Sequence, residues 1–394
     1  MKRIAVVGTS LAGLRAAQAL REAGYDGALT MVGAEPHQPY DRPPLSKEFL
    51  LQGKAEQDGI ALAITDDVAA LNADWRLGVP ATKLDTAAGT VVLADDTDIP
   101  TDGVVIATGG HARHLPGPSV AGVHVLRTLD DAIALRQDLQ AGPENVVIIG
   151  AGFIGSEVAA SCRALGLRVT VVEALADPLA PLLGPELAQV CARLHPENGV
   201  SVLYGTKVTG LSTVDGRVSG VRLADGRLLP AEVVVVGIGM RPATDWLTGS
   251  GLHLDNGVLT DAGCVTPLAN VVAAGDVARY WSAEHDAYVR QEHWTNANDQ
   301  PAVAVANLLA GRTITHYRAS GYFWSKQYDA WIQYAGRTAP TDEIRIIDGS
   351  PEERKFVATY HRGDRMTGAF AINSPKIFTR TRKQLRANAT DRSS

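Results

Sequence analysis

Short apolar runs alternate along this chain with stretches whose apolar positions recur at helical spacing. That alternation predicts an α/β protein built on parallel sheets. One unit occurs twice. Residues 3–24 read RIAVVGTSLAGLRAAQALREAG, and residues 145–166 read NVVIIGAGFIGSEVAASCRALG. Each predicts a buried strand, a glycine turn and an amphipathic helix that ends near glycine. A second strand follows each helix, ALTMVGAE in the first copy and RVTVVEA in the second. Further apolar strands end in glycine at VVIATGG (104–110), VVVVGIG (233–239) and VVAAGD (271–276). The repeat predicts two nucleotide-binding domains. We expect the first to be split over 1–112 and 241–317, with the second inserted at 113–240. The last part, 318–394, differs. Alternating stretches such as WIQYAG and KFVATY predict an antiparallel sheet, followed by a basic helix.

The turns carry candidate chemistry. A parallel strand that feeds a glycine turn and a helix aims backbone N–H groups at a pyrophosphate. In the first copy Gly8 makes the tight turn and Gly13 allows close packing of helix on strand. Ser10 stands at the middle glycine position, so the pattern is GxSxxG. Glu35, 22 residues beyond Gly13, is placed to accept ribose hydroxyls. The second copy has all three glycines, Gly150, Gly152 and Gly155, and Glu173 ends its next strand. A carboxylate there favours a free ribose hydroxyl over a 2′-phosphate, hence NADH over NADPH. Arg168 precedes that strand and reads as a solvated side chain.

Length adds that 394 residues exceed one ordinary core. No apolar run is long enough to span a bilayer, and MKRIAVVG enters a strand with no signal-type segment. Cys162, Cys191 and Cys264 form no CxxC pair. A cytoplasmic protein is expected. No histidine spacing suggests a metal site, and His111 and His114 fall in a loop. Nothing points to nucleic acid or a membrane as partner. The net charge of −6 is uneven. From residue 351 onward ten basic residues face four acidic ones, so this end carries +6 and the remainder −12. Two readings stand: a solvated basic tail, or a docking face for an acidic partner.

Taken in order, GTSLAG with Glu35, YDRPPLSKEFL, VVIATGG, LRTLDDA, GAGFIGSEVA with Glu173, GIGMRP, VVAAGDVA, EHWTNANDQ and YFWSKQY make the chain similar to a known family. It resembles the FAD-dependent ferredoxin reductases of oxygenase systems, the group with putidaredoxin reductase and the reductases of biphenyl-type dioxygenases. The resemblance implies two Rossmann-like domains of glutathione-reductase-like build plus a C-terminal α+β domain over the flavin. It implies noncovalent FAD in the first domain and NADH in the inserted one. For FAD it points to Gly8, Ser10, Leu11, Ala12, Gly13, Glu35, Arg42, Pro43, Lys47, Thr108, Gly109, Arg127, Gly275, Asp276, Glu292, His293, Trp294 and Trp324. Asn296 falls with Trp294 at the flavin edge. For NADH it points to Gly150, Gly152, Phe153, Ile154, Gly155, Glu157, Glu173, Gly237, Ile238 and Gly239. Lys47 would pair with Glu157, and Lys47, Glu157 and Trp324 are the candidate catalytic residues. A surface role for Lys47 and core packing for Trp294 and Trp324 stay open. Two places depart from the family pattern. Pro181 stands where an arginine usually helps hold the adenosine, and Lys326 replaces the aspartate of WSDQ.

The implied reaction is hydride transfer from NADH to FAD, then single electrons to an iron–sulfur ferredoxin that serves a cytochrome P-450 or a Rieske oxygenase. Ferredoxins are usually acidic, which fits Lys376, Arg380, Arg382, Lys383 and Arg386. The segment 35–50 has no cysteine, which argues against disulfide reductases and against the NADH oxidase and peroxidase branch that uses one. Two alternatives stay open: an NADH-sensing flavoprotein of slow turnover, like the apoptosis-inducing-factor relatives, and a direct NADH oxidase or quinone reductase. Monomer and dimer are both compatible with the sequence.

Overall fold

The computed structural model describes residues 1–51, 57–62 and 65–390. The chain divides into two compact units. The first comprises Met1–Asp41, the described part of Glu56–His111, and Met240–Gly321. The second comprises the described part of Arg42–Ala55, Ala112–Gly239, and Tyr322–Ser394 up to residue 390.

In the first unit a parallel sheet runs in the order Val271–Ala273, Gly103–Ile106, Arg3–Val7, Ala28–Gly33, Asp74–Leu77. Val7 pairs with both Val32 and Ile106, and Ile106 pairs with Ala273, so the strands finish level. Ligands of such sheets bind outside that carboxyl edge. The helices Leu11–Glu22 and Trp294–Ala310 pack together on one face. Leu14, Leu20, Val305 and Leu308 bury their side chains there with Ile4 and Val6. The other face is covered by an antiparallel sheet of Ala81–Asp85, Thr90–Leu93 and Asp98–Pro100, through Leu84, Val91 and Leu93.

The second unit repeats the parallel design in the order Ser201–Leu203, Arg168–Val172, Asn145–Ile149, Val233–Val236, Val123–His124. An antiparallel sheet follows in the order Phe323–Gln327, Ala330–Gly336, Arg365–Ile372, Lys355–Arg362, Glu343–Ser350. The Pro375–Thr390 helix follows this sheet and buries Phe378 against Ala335, Val357 and Ala369.

The C-terminal sheet shares a core with the Pro185–Glu197 helix, where Leu187 and Leu194 meet Tyr334, Phe356 and Phe370. Residues 42–51 pack in the second unit. Leu50 is buried there with Leu135 and Val158, and Ser161 Oγ donates to the Ser46 carbonyl at 2.7 Å. Among the described residues no helix is long and apolar enough to cross a membrane.

Candidate functional site

In the first unit the turn between the Arg3–Val7 strand and the Leu11–Glu22 helix is shaped by contact. Gly8 has φ +112°, and a Cβ there would lie 2.1 Å from the Ala107 carbonyl oxygen. A Cβ on Gly13 would lie 1.7 Å from the Gly8 oxygen. No other residue type fits either position. Ser10 is the N-cap, and Leu11 and Ala12 are buried behind it. The first helical turn carries no acidic side chain, so no carboxylate of its own meets the positive end of the helix dipole.

Other expected residues gather at the same sheet edge. Glu35 follows the Ala28–Gly33 strand and accepts a hydrogen bond from the Tyr40 hydroxyl. Thr108 Oγ1 donates to the Ala243 carbonyl at 2.8 Å, and Gly109 accepts from the Ala243 N–H. Gly275 has φ +78°, and a Cβ there would stand 2.9 Å from the Ala12 Cβ. The turn bearing Asp276 thus lies directly against the first glycine turn. Arg290 joins this region by bonding the Asp276 carbonyl and Glu292 Oε1. His293 is the N-cap of the Trp294–Ala310 helix, and burial pushes its pKa down to about 4. Trp294 Nε1 donates to Asp41 Oδ1 at 2.7 Å, which gives this tryptophan a polar partner as well as a packing role. Asn296 is buried, with its amide donating to Gln291 and Gln300.

In the second unit Gly150 has φ +107°, with its would-be Cβ 2.3 Å from the Gly237 oxygen. A Cβ on Gly155 would likewise lie 2.1 Å from the Gly150 oxygen. Gly152 caps the Phe153–Ala164 helix and borders open space. The backbone there is bare for a ligand to approach. Ile154 and Ile238 are exposed apolar side chains of the two turns that carry these glycines. Glu173 is nearly buried, and its oxygens accept the Ala151 and Leu175 N–H groups at 2.8 Å each. Each oxygen keeps a further lone pair for a ribose hydroxyl. Gly239 accepts from the Arg113 N–H. Phe153 packs edge-on against Phe323, so its side chain serves the core. Pro181 lies in the short Ala180–Leu183 helix. Arg168 pairs with Glu144 in the open, as expected of a solvated residue.

The arrangement of most chemical interest also lies in this unit. Glu157, 3% exposed, sits one turn into the Phe153–Ala164 helix. Lys47 Nζ stands 2.5 Å from Glu157 Oε2 and also donates to the Pro43 carbonyl at 2.7 Å and to Ser46 Oγ at 3.2 Å. The Ser46 hydroxyl donates to the same carboxylate oxygen, and Ser325 Oγ donates to Oε1 at 2.7 Å. The Lys326 N–H reaches Oε1 at 3.3 Å, while the Lys326 ammonium is exposed, 3.8 Å from Glu48. Arg42 donates to the Arg127 carbonyl. Trp324 is half-buried and stacks on Tyr322, whose ring also lies under the Arg382 guanidinium. Sequence reasoning missed Ser46, Ser325, Ser156, His195 and Tyr328. The signal available for one of them was alternation along 323–327, which turns Ser325 inward beside Gln327.

Both turns fit a dinucleotide pyrophosphate, since each pairs a helix whose first turn lacks an acidic side chain with leading glycines that leave no room for a Cβ. All three thiols are buried, which pushes Cys162 and Cys191 up to about 12 and raises Cys264 as well. They are poor nucleophiles at neutral pH.

Comparisons with known proteins agree with this geometry. A pyridine nucleotide-disulphide oxidoreductase model matches residues 2–300, and a reductase C-terminal model matches 322–394. Rhodocoxin reductase of Rhodococcus erythropolis is 38% identical, over 97% of this chain and 89% of that protein. The ferredoxin–NAD(+) reductase component of the anthranilate 1,2-dioxygenase system of Burkholderia cepacia is also 38% identical, over 98% of this chain and 94% of its own length. Among solved structures, the covalent putidaredoxin reductase–putidaredoxin complex superposes with TM-score 0.90 at 33% identity, covering 98% of this chain and 93% of the matched one. The chain therefore belongs to the pyridine nucleotide-disulphide oxidoreductase family, as an FAD- and NAD(P)H-using reductase of the putidaredoxin reductase type.

Proposed function

We propose that the protein passes reducing equivalents from NADH through noncovalent FAD to an iron–sulfur ferredoxin. The observation that carries this reading is the paired glycine turns, one in each unit, each backed by a carboxylate. The first turn, with Glu35, Thr108, Gly109 and the adjoining Gly275–Asp276 segment, is assigned to FAD. The second, with Gly237–Gly239 and Glu173, is assigned to NADH. Bound FAD supplies the chemistry that accepts a hydride and gives up electrons singly. The chain binds and orients. Lys47 has its three N–H groups taken by Pro43, Ser46 and Glu157, so the cation is held in one place. By the family likeness of YDRPPLSK, Arg42, Pro43 and Lys47 are assigned to the flavin, where a fixed cation favours an anionic reduced ring. Trp324 and the Trp294–Asp41 pair are assigned to its surroundings.

The partner reading rests on charge. Lys376, Arg380, Lys383 and Arg386 are exposed on the last helix, and the first, second and third of these recur at helical spacing. Arg382, expected among them, is instead engaged with the Tyr322 ring. A ferredoxin serving a cytochrome P-450 or a Rieske oxygenase fits that face. The three buried, unpaired thiols suit the reducing cytoplasm. Anaerobic titration tests the cofactor half: one equivalent of NADH should bleach the flavin, and an unbleached flavin would refute the assignment.

A further inference from the structure

Ser156 and Glu157 are neighbours on the helix that begins at the second glycine turn, and each reaches the hairpin formed by Phe323–Gln327 and Ala330–Gly336. Glu157 does so through Ser325 Oγ at 2.7 Å. Ser156 does so through a relay. Its Oγ lies 3.2 Å from His195 Nε2, and His195 Nδ1 lies 2.8 Å from the Tyr328 hydroxyl. Gln327 Nε2 donates to Ser325 Oγ at 3.2 Å, which closes the circuit back to Glu157. Ser156 and His195 are each 2% exposed. Their hydrogen bonds are therefore shielded from competing water.

Tyr328 holds the first position of a two-residue turn, because Gln327 pairs with Ala330. It does so at φ +55°. A bulky residue rarely adopts that conformation, and it persists only where its surroundings dictate it. Here the His195 bond and the edge-on packing of the two rings, 5.9 Å apart, supply the constraint. A strand that slips or twists at this turn would move Ser325 and the Lys326 N–H away from Glu157.

We propose that His195 and Tyr328 are a positioning pair, which locks the hairpin so that Ser325 and Lys326 hold Glu157, and Glu157 in turn holds Lys47. The effect on hydride transfer rests on the function proposed above; the mechanical link does not. Neither residue is assigned a contact with substrate. Both act through the carboxylate.

The test uses the full-length, FAD-loaded protein and its Tyr328→Phe variant, which loses one hydroxyl and keeps the ring. Amide hydrogen exchange should rise at residues 153–157 and 323–327. The limiting rate of flavin reduction by NADH should fall roughly 10- to 100-fold, the scale of an ångström-sized misplacement, at unchanged half-saturation. His195→Ala should behave alike, and His195→Asn, which can still bond the Tyr328 hydroxyl, should recover much of the rate. Unchanged exchange at 153–157 in Tyr328→Phe would overturn the proposal. So would a lowered melting temperature with the limiting rate intact, which marks a merely structural bond. If the wild-type flavin is not reduced by NADH, the functional reading fails, and the exchange experiment alone still decides whether the pair positions Glu157.

Discussion

Lys47 Nζ lies 2.5 Å from Glu157 Oε2, with the lysine side chain 13% exposed and the carboxylate 3% exposed. A pair so far removed from water gains little net stability from its own attraction, yet removing one member strands the other. Glu157→Ala leaves Lys47, Ser46 and Ser325 without their common acceptor. It should cost about 3 kcal/mol, toward the low end for buried pairs because Lys47 keeps some solvent contact. Urea unfolding measures this, and Lys47→Met in the same background should recover part of the loss.

Substitution at the two leading glycines should separate the cofactors. Gly8→Ala drives a Cβ to 2.1 Å from the Ala107 oxygen, and Gly150→Ala drives one to 2.3 Å from the Gly237 oxygen, each at a positive φ. The first variant should be isolated with little FAD and the second should keep its flavin but lose NADH binding. Flavin absorbance after purification and NADH titration read the two effects separately. The opposite pattern would exchange the assignments.

What could be read from the sequence depended on range. The two glycine turns were legible because strand, glycines and helix lie within about twenty residues and each has a local steric cause. The Lys47–Glu157 pair spans 110 positions and came only through family likeness. Pairing of 42–51 with the second unit turns on Leu50 meeting Leu135 and Val158, a packing fact that no local pattern encodes. The same holds for Leu187 and Leu194 beneath the C-terminal sheet. Ser156, His195 and Tyr328 escaped notice because each alone is an ordinary polar residue, and only folding brings the three into line. Glu173 was expected at a ribose. The structure shows it also fastening the Ala151 turn, a duty that periodicity does not announce.

Two histidines, the buried His195 and the half-buried His293, give stability a pH dependence of definite sign. Burial lowers His195 and His293 from 6.5 to about 4. Between those values the unfolded chain binds protons that the folded chain refuses. Their contribution is complete above pH 6.5 and is lost as pH falls from 6.5 toward 4, by roughly 3 kcal/mol for each histidine at most. Denaturant midpoints measured at pH 7.5, 6 and 5 should fall in that order. His195→Asn should flatten the slope by about half.

Charge on the last helix should govern partner encounter. Reversal of Arg380 and Lys383 to glutamate should lower the ferredoxin-dependent rate on the order of tenfold at low salt and weaken its salt dependence, with NADH-to-flavin reduction unchanged. Stopped-flow and steady-state assays at several ionic strengths check both halves. Arg382→Glu should in addition disturb packing, since this guanidinium lies 4.3 Å from the Tyr322 ring centre.

The most direct test of the central claim is NADH-dependent cytochrome c reduction by the yellow, FAD-bound protein, with and without an added ferredoxin, beside NADPH and oxygen controls. The expected rate depends on ferredoxin, is higher with NADH than with NADPH, and far exceeds direct transfer to oxygen. A flavin that NADH reduces but that turns over slowly with every acceptor, unmoved by ferredoxin, would contradict it.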